Sequence, residues 1–242
     1  MSTKIEWTDE TWNVVTGCTP ISPGCANCYA RRMARRLAGR FGYPEAPDHF
    51  NVTLRPDRLK QPLHWCEPRM VFVCSMSDLF HEDVPPDFTW KVIEVMWMSF
   101  HHTFQILTKR PERAADILTR SMWWNNDTPR NIWLGVTAEN QEQADKRIPI
   151  LLQIPAAVRF VSVEPMLEPI DLTLYTFDSF QDEPLDWVIV GAETGPGKRE
   201  MQLDWARDIL HTCKSSGTPF FFKKDGVGNH TLDGVMYEEF PR

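Results

Sequence analysis

Seven short apolar runs, most of them ending in polar residues, constrain the fold of this chain more than any other feature. They fall at residues 12–16, 70–74, 103–107, 131–136, 158–163, 185–190 and 219–222. Helical patterns lie between several of them, at 29–38, 87–100, 112–121, 141–152 and 204–215. Continuous apolar runs alternating with helices are the pattern of a parallel sheet covered on both faces. Polar residues recur just past the runs, where a barrel-type sheet collects its site at the C-terminal rim. The expectation is an α/β fold: a TIM-like (β/α) barrel, partial or full, with mainly parallel strands. A doubly wound open sheet is the alternative. One domain over residues 1–242 is expected, with a cysteine loop at 16–30 and an irregular Pro-rich insertion at about 41–69.

The cysteine loop carries the chemistry. Cys18, Cys25 and Cys28 are spaced C-x6-C-x2-C in a segment rich in Gly and Pro, which can fold back on itself. A structural zinc site wants four protein ligands, whereas three leave one metal position open. Thiolates are soft donors suited to zinc or to an iron–sulfur cluster. From spacing alone both remain open, the zinc reading needing Cys66, Cys74 or a His as a fourth ligand. Cys74 and Cys213 otherwise read as small core residues, and His101-His102 as structural.

Strand, three-cysteine loop and helix in this order resemble the radical S-adenosylmethionine (radical SAM) cysteine motif. The whole chain resembles a family of three-Cys-motif proteins found in phages and bacterial mobile elements and related to radical SAM enzymes. The usual spacing is C-x3-C-x2-C; here three further residues separate the first two cysteines. Asn27 stands where most members have an aromatic that contacts adenine, and Tyr29 is the candidate to replace it. The resemblance implies a [4Fe–4S] cluster on Cys18, Cys25 and Cys28, with S-adenosylmethionine on the fourth iron. It implies one-electron cleavage to a 5′-deoxyadenosyl radical, and hence an electron donor as a partner. Ser75, Ser77 and Asp78 would hold the methionyl amine, and Lys109 or Arg110 the carboxylate. Thr137, Glu139, Asn140, Ser162 and Glu164 would take the ribose hydroxyls. Arg110, Glu193 and Lys223 are candidates for substrate.

The rest bounds the function. The chain has 242 residues, a net charge of −7 and a pI near 5.5, which argue against indiscriminate nucleic-acid binding but not against a local basic patch. Arg31, Arg32, Arg35 and Arg36 pair four residues apart on one side of a helix, either a solvated face or a phosphate-contacting one. A nucleotide or nucleic-acid substrate is therefore entertained. No apolar run approaches membrane-spanning length and the first residues form no signal-peptide core, so a reducing cytoplasm is expected. There clustered cysteines bind metal more readily than they form disulfides. Neither G-x-G-x-x-G nor a P-loop motif occurs. The competing class is a non-catalytic zinc- or Fe–S-binding protein that recognises nucleic acid or a partner, or that transfers electrons or senses.

Overall fold

The computed structural model describes residue 3, residues 5–177 and residues 183–241. Six of the apolar runs form the strands β4 (Met70–Val73), β5 (Thr103–Thr108), β6 (Ile132–Thr137), β7 (Val158–Val163), β8 (Trp187–Gly191) and β9 (Phe220–Lys224). The first run breaks in two. Its front joins β1 (Glu10–Trp12), parallel to β4. Its back, β2 (Val15–Thr16), turns away to pair antiparallel with β3 (Thr53–Leu54). The break falls at Asn13, whose side-chain carbonyl accepts from the Ser75 hydroxyl (3.2 Å) and the Met76 amide (3.0 Å).

Strands β1, β4, β5, β6, β7, β8 and β9 lie side by side in that order, all parallel, in a sheet curled into a half-barrel. The expected partial barrel is the fold observed. Crossovers run through α2 (Pro86–Met98), α3 (Pro111–Leu118), α5 (Gln141–Leu151) and α7 (Leu203–Ser216), while α1 (Tyr29–Leu37) follows the cysteine loop. Two short helices escaped the sequence pattern, α4 (Met122–Asn126) and α6 (Thr173–Thr176). Among the described residues no helix is long and apolar enough to cross a membrane.

Strand side chains alternate between two cores, as a period of two requires. On β8, Val188 and Val190 pack outward with the helices; on β9, Phe220 and Phe222 do the same. Trp187, Ile189 and Phe221 point inward, with Phe72, Phe160 and Trp7. The concave side is thus filled with aromatic rings, Trp7 lying 4.7 Å from Phe72 between ring centroids. Gly135 makes room for this packing, because a Cβ there would stand 2.5 Å from the Phe160 ring. Phe240 closes the same core from the other end of the chain. The adjoining backbone pairs with the edge of β9, Phe222 donating to Tyr237 and Glu239 to Phe220. That edge is therefore covered.

Candidate metal and cofactor site

The loop enters the rim through Gly17, whose φ of +87° suits glycine and whose missing Cβ would fall 2.2 Å from the Asn51 carbonyl. Two backbone bonds and one from a side chain fix this entry. Gly17 donates to Met76 (3.0 Å), Cys18 donates to Phe50 (3.1 Å), and the Ser77 hydroxyl donates to the Gly17 carbonyl (2.6 Å). The irregular insertion thereby packs on the loop. A single 3-10 turn, Pro23–Cys25, takes up the long first spacing, and α1 begins directly after Cys28.

Side chains from the strand tips then pin the loop. Arg110, past β5, donates to the Thr19 carbonyl and hydroxyl (both 3.1 Å) and to the Cys18 sulfur (3.5 Å). Glu139, past β6, accepts the Gly24 amide at 2.9 Å. Glu193, past β8, accepts from the Asn27 amide at 2.9 Å, and Asn27 also donates to the Gly197 carbonyl. Arg199 adds a bond to the Pro23 carbonyl (3.1 Å).

These pins are themselves braced. Asp78 accepts from Phe80, from both atoms of the 108–109 turn (the Thr108 hydroxyl and the Lys109 amide) and from Arg110. Arg110 also grips Glu82. Arg147 on α5 donates to Glu139 (2.9 Å) and to the Thr137 carbonyl (2.7 Å), with both charges buried. Burial alone would raise the Glu139 carboxyl; Arg147, Ser22 and the Gly24 amide outweigh it and hold it below the usual carboxylate range. Arg199 ion-pairs with Glu193 and, against burial, lowers it to about 2.

Inside the pins lies a cavity of about 430 Å³, within the range of small-molecule sites. Cys18, Cys25 and Cys28 all stand on its wall, all with free thiols. Burial, reinforced by Asp78, pushes Cys18 up to about 11 in spite of Arg110. At Cys25 burial is outweighed by the Lys109 ammonium and by hydrogen bonds from Ile21 and Ser22, and the thiol is lowered. Among the described residues no three His, Cys, Asp or Glu side chains are grouped so that they could hold one metal ion. With Zn–S near 2.3 Å, one ion would draw its thiolates to about 3.8 Å of each other. Three thiolates on one wall are soft donors of the kind that zinc and iron–sulfur clusters both take.

Most residues singled out in the sequence line this cavity: Tyr29, Ser75, Ser77, Asp78, Lys109, Arg110, Thr137, Ser162, Glu164, Glu193 and Lys223. Ile5, Trp7, Phe72 and Leu107 give it an apolar side. The Tyr29 hydroxyl donates to the Ser75 carbonyl. Glu164 and Lys223 pair with each other at 2.7 Å. Lys109 alone among the lining cations has neither an ion pair nor a hydrogen bond from its ammonium within the described residues.

Two of the residues do not reach the wall. Glu139 is fully buried behind Gly24, and Asn140 caps α5, accepting the Gln143 amide at 3.0 Å. Asp78 and Arg110 line the cavity, yet their polar atoms are spent on each other and on the loop. Of the candidates for a fourth zinc ligand, Cys66 is exposed, whereas Cys74 is buried against the same cavity with its thiol pushed up to about 12 by desolvation. Of the bracing residues, Thr108 ends β5, whereas Arg147 within α5 and Arg199 in the segment before α7 carried no signal in the sequence. The model of one protein family, described as "Protein of unknown function (DUF5131)", matches residues 2–241. No curated protein and no solved structure matches the chain.

Proposed function

The chain belongs to that family, and we propose that it is a radical SAM-type iron–sulfur enzyme, with a [4Fe–4S] cluster on Cys18, Cys25 and Cys28. One observation carries the reading: three free thiols stand on the wall of one ligand-sized cavity at the C-terminal rim of a parallel half-barrel. Cavities at this rim are where such sheets hold their reactants. The cluster with S-adenosylmethionine would supply one-electron cleavage of a sulfonium–carbon bond, chemistry that belongs to the cofactor.

The protein's own part is position, charge and exclusion of water. Lys109, the uncommitted cation beside Cys25, is placed to receive the methionyl carboxylate. The hydroxyls of Ser75, Thr137 and Ser162 and the Glu164 carboxylate offer polar contacts for the amine and the ribose. Tyr29 offers a ring to the adenine from the turn after Cys28. Trp7, Phe72 and Leu107 shut water out from below. Asp78, Arg110, Glu139 and Glu193 serve as positioning residues that keep the thiols in place.

The test is the iron, sulfide and zinc content of anaerobically purified protein, beside the Cys28→Ala variant. About four irons and four sulfides per chain, lost in the variant, are expected of thiolate ligation. Release of 5′-deoxyadenosine on reduction with S-adenosylmethionine would then follow. About one zinc without sulfide, with iron supplied throughout, overturns the reading in favour of a structural zinc protein.

A further inference from the structure

Residues 11–44 contain five arginines, no lysine and no acid. That segment carries +5 in a chain of net charge −7, so the remainder carries −12. All five arginines fall within ten residues, at 31, 32, 35, 36 and 40, and the first four lie on α1. Ala30 and Ala34 turn the helix inward, which leaves the arginines on the solvent side. Among the described residues none of the five makes an ion pair, although acids outnumber bases over the chain as a whole.

The stripe begins at the cavity. Arg32 stands on its wall and donates through Nη2 to the Thr194 carbonyl (2.8 Å), while Nη1 is buried with no hydrogen-bond partner. A buried guanidinium nitrogen left without an acceptor is costly. One helical turn farther out, at a rise of about 6 Å for four residues, comes Arg36. Arg31 and Arg35 run beside them. One phosphate needs one such group; a row of them matches a chain of phosphates.

An exposed aromatic ring stands at the outer end of the row, Phe41 at 75% exposure. Phe41 is held at a φ of +50°, a conformation that bulky residues avoid, and its carbonyl accepts from Arg55 (3.2 Å). The ring stands out in solvent. Guanidinium groups for a backbone and an exposed ring for an unpaired base are the two parts of a single-strand site.

We propose that the substrate is a single nucleic-acid strand, its backbone on the arginine face of α1 and one nucleotide led past Arg32 into the cavity. This deepens the enzymatic reading and rests on it for the cavity's role. Strand binding itself does not require the cluster, so the two can fail separately.

The test is fluorescence anisotropy of a labelled 12-nucleotide strand, as DNA and as RNA, with the full-length protein over a salt series. The variant is the triple exchange Arg31→Ala, Arg35→Ala, Arg36→Ala, all at exposed positions, and the control is Arg130→Ala before β6. Each phosphate contact contributes about 0.7 to the slope of log affinity against log salt for single strands, so the triple variant should lose about 2 units of slope. The control should keep its slope. DNA bound more tightly than RNA, or the reverse, identifies the strand. No saturable binding, an unchanged slope in the triple variant, equal affinity for duplex, or equal capture by anionic lipid vesicles would each overturn the proposal. Binding that persists in Cys28→Ala while iron is lost separates it from the cofactor reading.

Discussion

Arg147 and Glu139 form an ion pair at 2.9 Å with both side chains buried, and the paired carboxylate also carries the amide of Gly24. A helix on the outside of the sheet thereby reaches through to the cysteine loop. The pair does not earn its place by stability alone, since burying two charges costs about what their attraction returns.

Removing one partner should be severe. Arg147→Met leaves the Glu139 carboxylate buried and unpaired, at a cost of about 3–5 kcal/mol. The double variant Arg147→Met, Glu139→Leu should recover most of that stability in urea denaturation. It should still bind less iron, because Gly24 has lost its acceptor.

Glu193 sets an acid limit. Its carboxyl lies near 2 when folded, mainly through the hydrogen bonds from Arg199, against an ordinary value of 4.5. A carboxyl lowered on folding adds stability that is complete above 4.5 and is lost as the pH falls toward 2. Urea denaturation between pH 6 and 2.5 should therefore show a steep loss below 4.5. Glu193→Gln should be less stable at pH 6 and flatter across that window; parallel curves would rule the linkage out.

Gly135 tests the inner core. A methyl group there meets the Phe160 ring, and overpacking of this kind costs about 1–3 kcal/mol. Gly135→Ala should lower the denaturation midpoint, and adding Phe160→Leu should restore part of it. Iron bound per folded chain should not change.

Lys109 tests the cofactor pose. A hydrogen bond to a charged group is worth about 1.5–3 kcal/mol, which is roughly a 10- to 100-fold change in affinity. Calorimetric titration of S-adenosylmethionine into reconstituted Lys109→Met should show a loss of that order with iron content intact. Equal affinity would remove Lys109 from the site.

The strands were legible because buried parallel strands are apolar throughout, so 103–107 and 158–163 stand out without knowledge of their neighbours. The break in 12–16 was not, since it is decided by Asn13 meeting residues 75 and 76 sixty positions away. Helix α4 hid behind α3, although Ser121, which accepts the Trp124 amide at 3.3 Å, is a cap visible in the sequence. The rim could be read by position alone. Which carboxylates face a ligand and which hold the loop could not, because Arg147 and Arg199 reach Glu139 and Glu193 only after the fold is made. Glu139 and Asn140 illustrate this: both follow β6, and both turn away from the cavity.

A closed barrel keeps its radius through an unbroken hoop of strand-to-strand bonds; a half-barrel has no such hoop. In this protein the cysteine loop runs like a bowstring across the arc, tied to the ends of β4, β5, β6 and β8 through Ser77, Arg110, Glu139 and Glu193. The sheet cannot flatten or tighten without pulling on that string. Its curvature and the spacing of the three sulfurs are therefore one mechanical variable, read at opposite ends of the same ties.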